Sequence, residues 1–350
     1  MRWQVLSSMR WIIGAIATGC LVTPFAFAEV DLSGTYDVAT LTPLQRPAHF
    51  GANLFLTPAQ AEVLAAADRD REEADSAQSN PDREAPPEGG DGSAGASGNV
   101  GGYNTFWIDN GDQAFTVDGQ FRTSIITYPT DGRQPAMTAT GNAKVAERRK
   151  RRRPNSGTAW WLAEDGPGPY DNPEMRPLAE RCLLGFGPVA GPPMLPALYN
   201  NVKRIIQTDE TIMIMAEMVH DARVVRMNAE HRPASVRTWL GDSIGWWDGD
   251  TLVVETTNFK AQPALYNASH ELKVTERFNR IDSKTLGYAF TVEDPAIWSE
   301  AWRGDYPWPA TAEKLFEYAC HEGNYALGNI MRGARILEQD IEGPAAAGQD

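Results

Sequence analysis

The stretch from Val236 to Phe259, VRTWLGDSIGWWDGDTLVVETTNF, constrains the fold more than any other part of the chain. It reads as three extended pieces joined by two turns. Asp248-Gly249 stands between a Trp-Trp pair and the run Thr251–Thr257, and an Asp-Gly flanked by aromatic and β-branched residues signals a tight hairpin. Similar pieces lie on either side. Lys203–Thr208 and Thr211–Met218 are joined at Asp209-Glu210, and Ala222–Met227 follows His220-Asp221. Val236–Leu240, Ile244–Trp247, Thr251–Thr257 and Glu271–Arg280 come next. Thr285–Val292 follows a turn at Asp282–Lys284, and Lys314–Cys320 is the last piece. So many consecutive antiparallel strands need protected edges, and closure protects them best. The expectation is an all-β fold, an antiparallel meander closing into a barrel or a strongly curved sandwich, with peripheral N- and C-terminal helices.

The rest of the chain fits around that meander. Arg2 and Arg10 precede the apolar run Trp11–Val22, and Ala26-Phe27-Ala28 offers a small-x-small cleavage site. A run of about 12 residues is too short to span a bilayer. Residues 1–28 are therefore expected to be a signal peptide, leaving a periplasmic or secreted protein with no membrane insertion after cleavage. Asp31–Val38 reads as a first strand. Thr57-Pro58-Ala59-Gln60 opens a helix, with Thr57 as N-cap and Gln60 completing a capping box. Residues 76–102 are rich in Pro, Glu, Gly and Ser and are expected to form a disordered insertion within one β-rich domain spanning 29–342. Thr105–Ile108, Gln113–Val117 and Gln120–Tyr128 read as a small meander. The basic run Glu147–Arg153 is expected as a solvated loop, with an anion or partner site as the alternative. Trp160–Pro196 is expected as a long ordered loop across one end of the sheet. Glu322–Gln339 reads as a C-terminal helix and 343–350 as a flexible tail.

Without Arg2 and Arg10 the formal net charge moves from −14 to −16, which disfavours nucleic acid and anionic membranes as partners. Cys182 and Cys320 would face an oxidising compartment, where one disulfide or two buried thiols are both open.

Several residues carry chemical potential. Gly241-Asp242-Ser243-Ile244-Gly245 matches G-x-S-x-G, but a hairpin follows it where a nucleophile elbow requires a helix, so a structural turn is the expectation. The five histidines show no zinc spacing, and the mature chain holds no C-x-x-C, so no metal and no cofactor is expected. His220 and Asp221 sit at a strand end where both can face one barrel mouth, the alternative being a satisfied turn. Glu276 shares the apolar face of its strand with Leu272, Val274 and Phe278, so a carboxylate points inward together with Arg280. Its bland alternative is a buried Glu–Arg ion pair. Tyr318–Tyr325 (YACHEGNY) crowds His321, Glu322, Asn324 and Tyr325 at a strand–helix junction.

WLGDSIGWWDGDTLVVETTNF and YACHEGNY resemble segments of a large family of secreted bacterial proteins with no established activity. At fold level the meander is also similar to calycin or lipocalin-like barrels. That resemblance implies an internal cavity for an apolar ligand and, in some relatives, hydratase or isomerase chemistry without a cofactor. The resulting expectation is a cofactor-free lyase, hydratase or isomerase acting on a small apolar or aromatic molecule. His321 or His220 would move the proton, with Glu276 and Asp221 as carboxylate partners. Trp246, Arg277, Arg280, Asn324, Tyr325 and Tyr199 would bind substrate. A non-catalytic carrier of a hydrophobic ligand is the first alternative, and a serine hydrolase using Ser243 is the second.

Overall fold

The computed structural model describes residues 30–76, 108–151, 153 and 156–342. The expected signal peptide, the insertion beyond Ser76, the strand at 105–108 except Ile108, and the tail at 343–350 lie outside them. Thirteen strands and three α-helices form in the described residues. The first half supplies β1 (Gly34–Asp37), β2 (Phe55–Leu56), α1 (Pro58–Ser76), β3 (Thr116–Val117), β4 (Gln120–Arg122), β5 (Ile126–Tyr128) and α2 (Ala139–Arg151). The second half supplies β6 (Val202–Gln207), β7 (Thr211–Ala216), β8 (Ala222–Met227), β9 (Asp242–Asp248) and β10 (Thr251–Thr257). It continues with β11 (Lys273–Asp282), β12 (Thr285–Glu293), β13 (Trp302–Pro309) and α3 (Tyr325–Glu342).

Ten strands make one sheet in the order β1-β6-β7-β8-β9-β10-β11-β12-β13-β5, and β2-β4-β3 make a small second sheet. The large sheet curls into a half-barrel, and the apolar residues that alternate along its strands face the inside. Its first strand comes round to the chain just past β13, where Tyr36 bridges Ala310 and the Thr311 amide donates to the Thr35 carbonyl at 2.9 Å. All ladders in the large sheet are antiparallel except β8–β9, where Val225 to Met227 run parallel to Ser243 to Gly245. The expected hairpin is present: Asp248 pairs with Thr251 across Gly249 (φ 60°) and Asp250.

The interior of the curl is packed with aromatic rings. Alternate residues of β11 to β13 bring Phe278, Tyr288, Phe290, Trp302, Tyr306 and Trp308 together, all buried. Tyr288 lies 4.7 Å from Trp308 and 5.0 Å from Phe278, centroid to centroid. Such pairs add about 0.5–1.5 kcal/mol each beyond the area they bury. Gly304 is small by necessity, since a Cβ there would meet the Phe290 ring at 2.5 Å. The loop before β6 closes one mouth. The Met194 amide donates to the Tyr288 hydroxyl at 2.8 Å, and the Tyr306 hydroxyl donates to the Met194 carbonyl at 2.9 Å.

Four elements differ from the sequence reading. The segment at 236–240 is no strand; it belongs to the connection between β8 and β9 and makes only the bridge Thr238 to Phe259. That connection carries the chain over so that β9 runs parallel to β8. The segment at 314–320 is an exposed strap without regular structure, with Phe316 72% exposed. The final strand is β13, whose Pro307 and Gly304 hid it. The basic run as far as Arg151 is the end of α2 and not a loop; Thr138 caps that helix through the Gly141 amide at 3.0 Å. The Lys144 ammonium also anchors α2 on the Ala268 carbonyl. The capping box of α1 forms as expected, with Thr57 amide to Gln60 Oε1 at 2.8 Å and Gln60 amide to Thr57 Oγ1 at 3.2 Å.

Candidate functional site

A tight turn between β7 and β8 builds the site. Val219 (φ 58°) and His220 (φ 42°) both take left-handed conformations, which a β-branched residue adopts only when its surroundings demand it. The turn is closed by His220 N–H to Glu217 O at 3.0 Å and by Ala216 N–H to Asp221 O at 2.8 Å. It presents His220 and Asp221 to a surface cleft of about 360 Å³. Leu183, Leu184, Trp239 and Leu240 supply apolar walls, while Arg223 and Ser243 line it from the sheet. Gly241, at the foot of β9, takes φ 76°, and a Cβ there would stand 2.6 Å from Thr256 Cγ2.

Asp221 is the chemically distinctive group. Its carboxylate accepts the Gly185 amide at 3.0 Å. Burial pushes its pKa up to about 6, against the opposing pull of that amide, His220 and Lys203.

Behind the cleft lies a buried ion pair. Arg223 Nη1 and Nη2 donate to Glu276 Oε2 and Oε1 at 2.7 and 2.9 Å, and Glu276 is 0% exposed. The Tyr288 hydroxyl donates a third bond to Glu276 at 2.8 Å. Burial and the Glu276 charge hold the Tyr288 phenol well above its usual pKa. Ser243 sits within β9 rather than in a turn. Its hydroxyl lies 2.8 Å from Thr256 Oγ1, and Arg223 Nη1 is 3.5 Å away. Among the described residues no histidine nitrogen hydrogen-bonds Ser243.

The sequence candidates are thus separated. His220, Asp221 and Ser243 line the cleft, and Glu276 reaches it only through Arg223. Arg280, expected beside Glu276, instead donates to the Asp31 carbonyl at 2.9 Å and to the Tyr36 hydroxyl at 3.3 Å. It keeps the face that alternation gives it, but four residues along an extended strand carry it about 13 Å from Glu276. Arg277 is on the outer face, paired with Asp248 at 2.7 Å. Trp246 is also outside, while Trp247 packs on the core. Tyr199 is buried among Val189, Ala190, Ala216 and Met218. His321 is exposed, and Tyr325 is 79% exposed. Asn324 caps α3, accepting the Leu327 amide at 3.2 Å and donating to the Glu180 carbonyl at 2.9 Å. Cys182 and Cys320 form a disulfide with Cα atoms 5.7 Å apart, and this ties the Leu183–Leu184 wall to the strap.

Arg223, Trp239 and the Leu183–Leu184 wall were not singled out from the sequence. For Arg223 a signal existed, since it alternates with Val225 and Met227 on one strand face. Among the described residues no group of three or more His, Cys, Asp or Glu side chains is placed to hold a metal ion, and no helix is long and apolar enough to cross a membrane. No protein-family model matches the chain, and no curated protein is significantly similar to it.

Proposed function

We propose that the cleft at the β7–β8 turn binds a small, partly apolar molecule and moves a proton on it, chemistry of the lyase, hydratase or isomerase kind carried by protein side chains. The observation that supports this most directly is Asp221, a carboxyl with a pKa near 6 on the wall of a mixed polar and apolar cleft beside an imidazole. A base so poised is half ionised close to neutral pH, where proton transfer is most effective. Asp221 would take the proton, and His220 would return one. Arg223, its charge balanced by Glu276, would face developing negative charge without attracting anions at large. The Cys182–Cys320 bond fits the periplasmic or extracellular setting that residues 1–28 suggest.

Nitrobenzisoxazole tests the base without knowledge of the natural substrate. A carboxylate that takes its ring C–H proton breaks the N–O bond and releases a coloured cyanophenolate. The expected rate saturates with probe and rises with pH through about 6. Asp221→Asn should lose about 100-fold of it. Equal rates for wild type and Asp221→Asn would sink the reading.

A carrier role has one observation in its favour, a second cleft of about 590 Å³ lined by Leu44, Leu64, Ile125, Leu195, Leu198 and Tyr266, among others. An organic adduct kept in native mass spectra of the purified protein, with no probe turnover, would favour that reading.

A further inference from the structure

Among the described residues Lys203 is the one lysine with 0% exposure, and its Nζ has no hydrogen-bond partner. Its strand position explains the setting. Lys203 pairs with Tyr36 of β1 on one side and with Ala216 of β7 on the other. The Ala216 amide in turn bonds the Asp221 carbonyl. One row of the sheet therefore runs from β1 through Lys203 to the residue on the cleft wall. Carboxylates act on Lys203 from three elements: Glu217 at the end of β7, Asp37 on β1, and Asp221. Glu217 is itself buried and accepts the strap's Phe316 amide at 3.0 Å. Farther out, Asp109 feels Asp37, Glu313 just before the strap, and Glu217. On the cleft side Asp221 has His220 and Arg223 as its other ionisable neighbours.

A dry amine without hydrogen bonds is costly, and its charged form survives only by the field of nearby anions. Lys203 is arranged to act through that field, since it is bonded to none of the three carboxylates and surrounded by all of them. We propose that Lys203 is a positioning residue for the cleft: enclosed behind it by Asp37, Glu217 and Asp221, its amine governs how readily the Asp221 carboxyl gives up and regains a proton. The catalytic meaning of this coupling rests on the acid–base reading of the cleft; the coupling itself does not. Burial brings Lys203 down to about 7, so the two groups titrate side by side and each senses the other's charge.

The test is a carbon NMR titration of the Asp221 carboxyl in the full chain, the resonance being identified by its loss in Asp221→Asn. Lys203→Met should raise the midpoint by about one pH unit or more, a tenfold tighter hold on the proton. Lys203→Arg, which keeps the cation, should bring it back toward the wild-type value. Glu217→Gln should shift it in the same direction as Lys203→Met, because Lys203 loses the strongest of the anionic fields that keep its amine charged. An unmoved midpoint in folded Lys203→Met overturns the proposal. If that variant does not fold, an unmoved midpoint in Glu217→Gln does so instead. The readout is independent of turnover, so shifts of the expected sign in a protein inert toward nitrobenzisoxazole would count against the acid–base reading while supporting the coupling.

Discussion

Glu276 accepts two guanidinium bonds and one phenolic bond in a place no water reaches, and this decides what the residue is for. A carboxylate held by three such bonds uses most of its acceptor sites and serves to keep Arg223 in place. Glu276→Gln preserves the shape and removes the charge, leaving a guanidinium buried and uncompensated. Urea unfolding should show a loss of about 3–5 kcal/mol, and the double variant Arg223→Met/Glu276→Leu should recover most of it. A loss below about 1 kcal/mol would mean that the pair is more hydrated than its burial implies. The inward aim of Glu276 was legible, because the period of a strand fixes which face a side chain takes. The same rule applied to Ala222–Met227 points Arg223 inward. Their partnership was not legible, since β9 and β10 stand between their strands and sequence spacing carries no information on reach across a curled sheet.

Elements with local signals came through, and elements defined by distant partners did not. The hairpin at Gly249, the capping box of α1 and the strands β6 to β8 and β10 to β12 follow from turn chemistry and alternation. β13 shows alternation too, Trp302, Gly304, Tyr306 and Trp308 facing inward, but its prolines argue against a central strand. They are tolerated near an end where only β5, three residues long, lies alongside. The strap reads as a strand in the sequence, yet it joins no ladder among the described residues. It is held by the disulfide and by the Glu217–Phe316 bond. Opening the disulfide with Cys320→Ser should cost about 2–5 kcal/mol and should speed amide exchange at 183–186, on the cleft wall. Unchanged exchange there would show that the Asp221–Gly185 bond holds the wall by itself.

At the scale of the whole molecule, pH links the buried charges to stability with a definite sign. Asp109 and Asp221 are raised to about 6 from 3.8, so the folded chain binds their protons more tightly and their contribution to stability falls as pH climbs from about 4 to 6. Lys203 is lowered to about 7 from 10.5, so the unfolded chain binds that proton more tightly and stability rises from about 7 toward 10.5. Urea midpoints at a series of pH values should rise above neutrality in wild type. Lys203→Met should flatten that limb, and an identical rise in both proteins would refute the assignment. The all-β curl was legible as a whole. The expected internal cavity was inferred from resemblance; buried aromatic rings pack the inside of the curl, and the two clefts described above open at the surface.

Both flanks of the large sheet come from the first 128 residues of the chain, and their partners come much later. β1 waits for β6, with Leu32 and Gln207 in contact across 175 residues, and β5 waits for β13. A chain that emerges from its N-terminus must therefore carry β1 unpartnered until β6 appears, and β5 until residues beyond 300 appear. Emergence of the Trp302–Pro309 stretch, not collapse of the early segments, is the event that seals the molecule. Until then β5 remains open to strands from other chains.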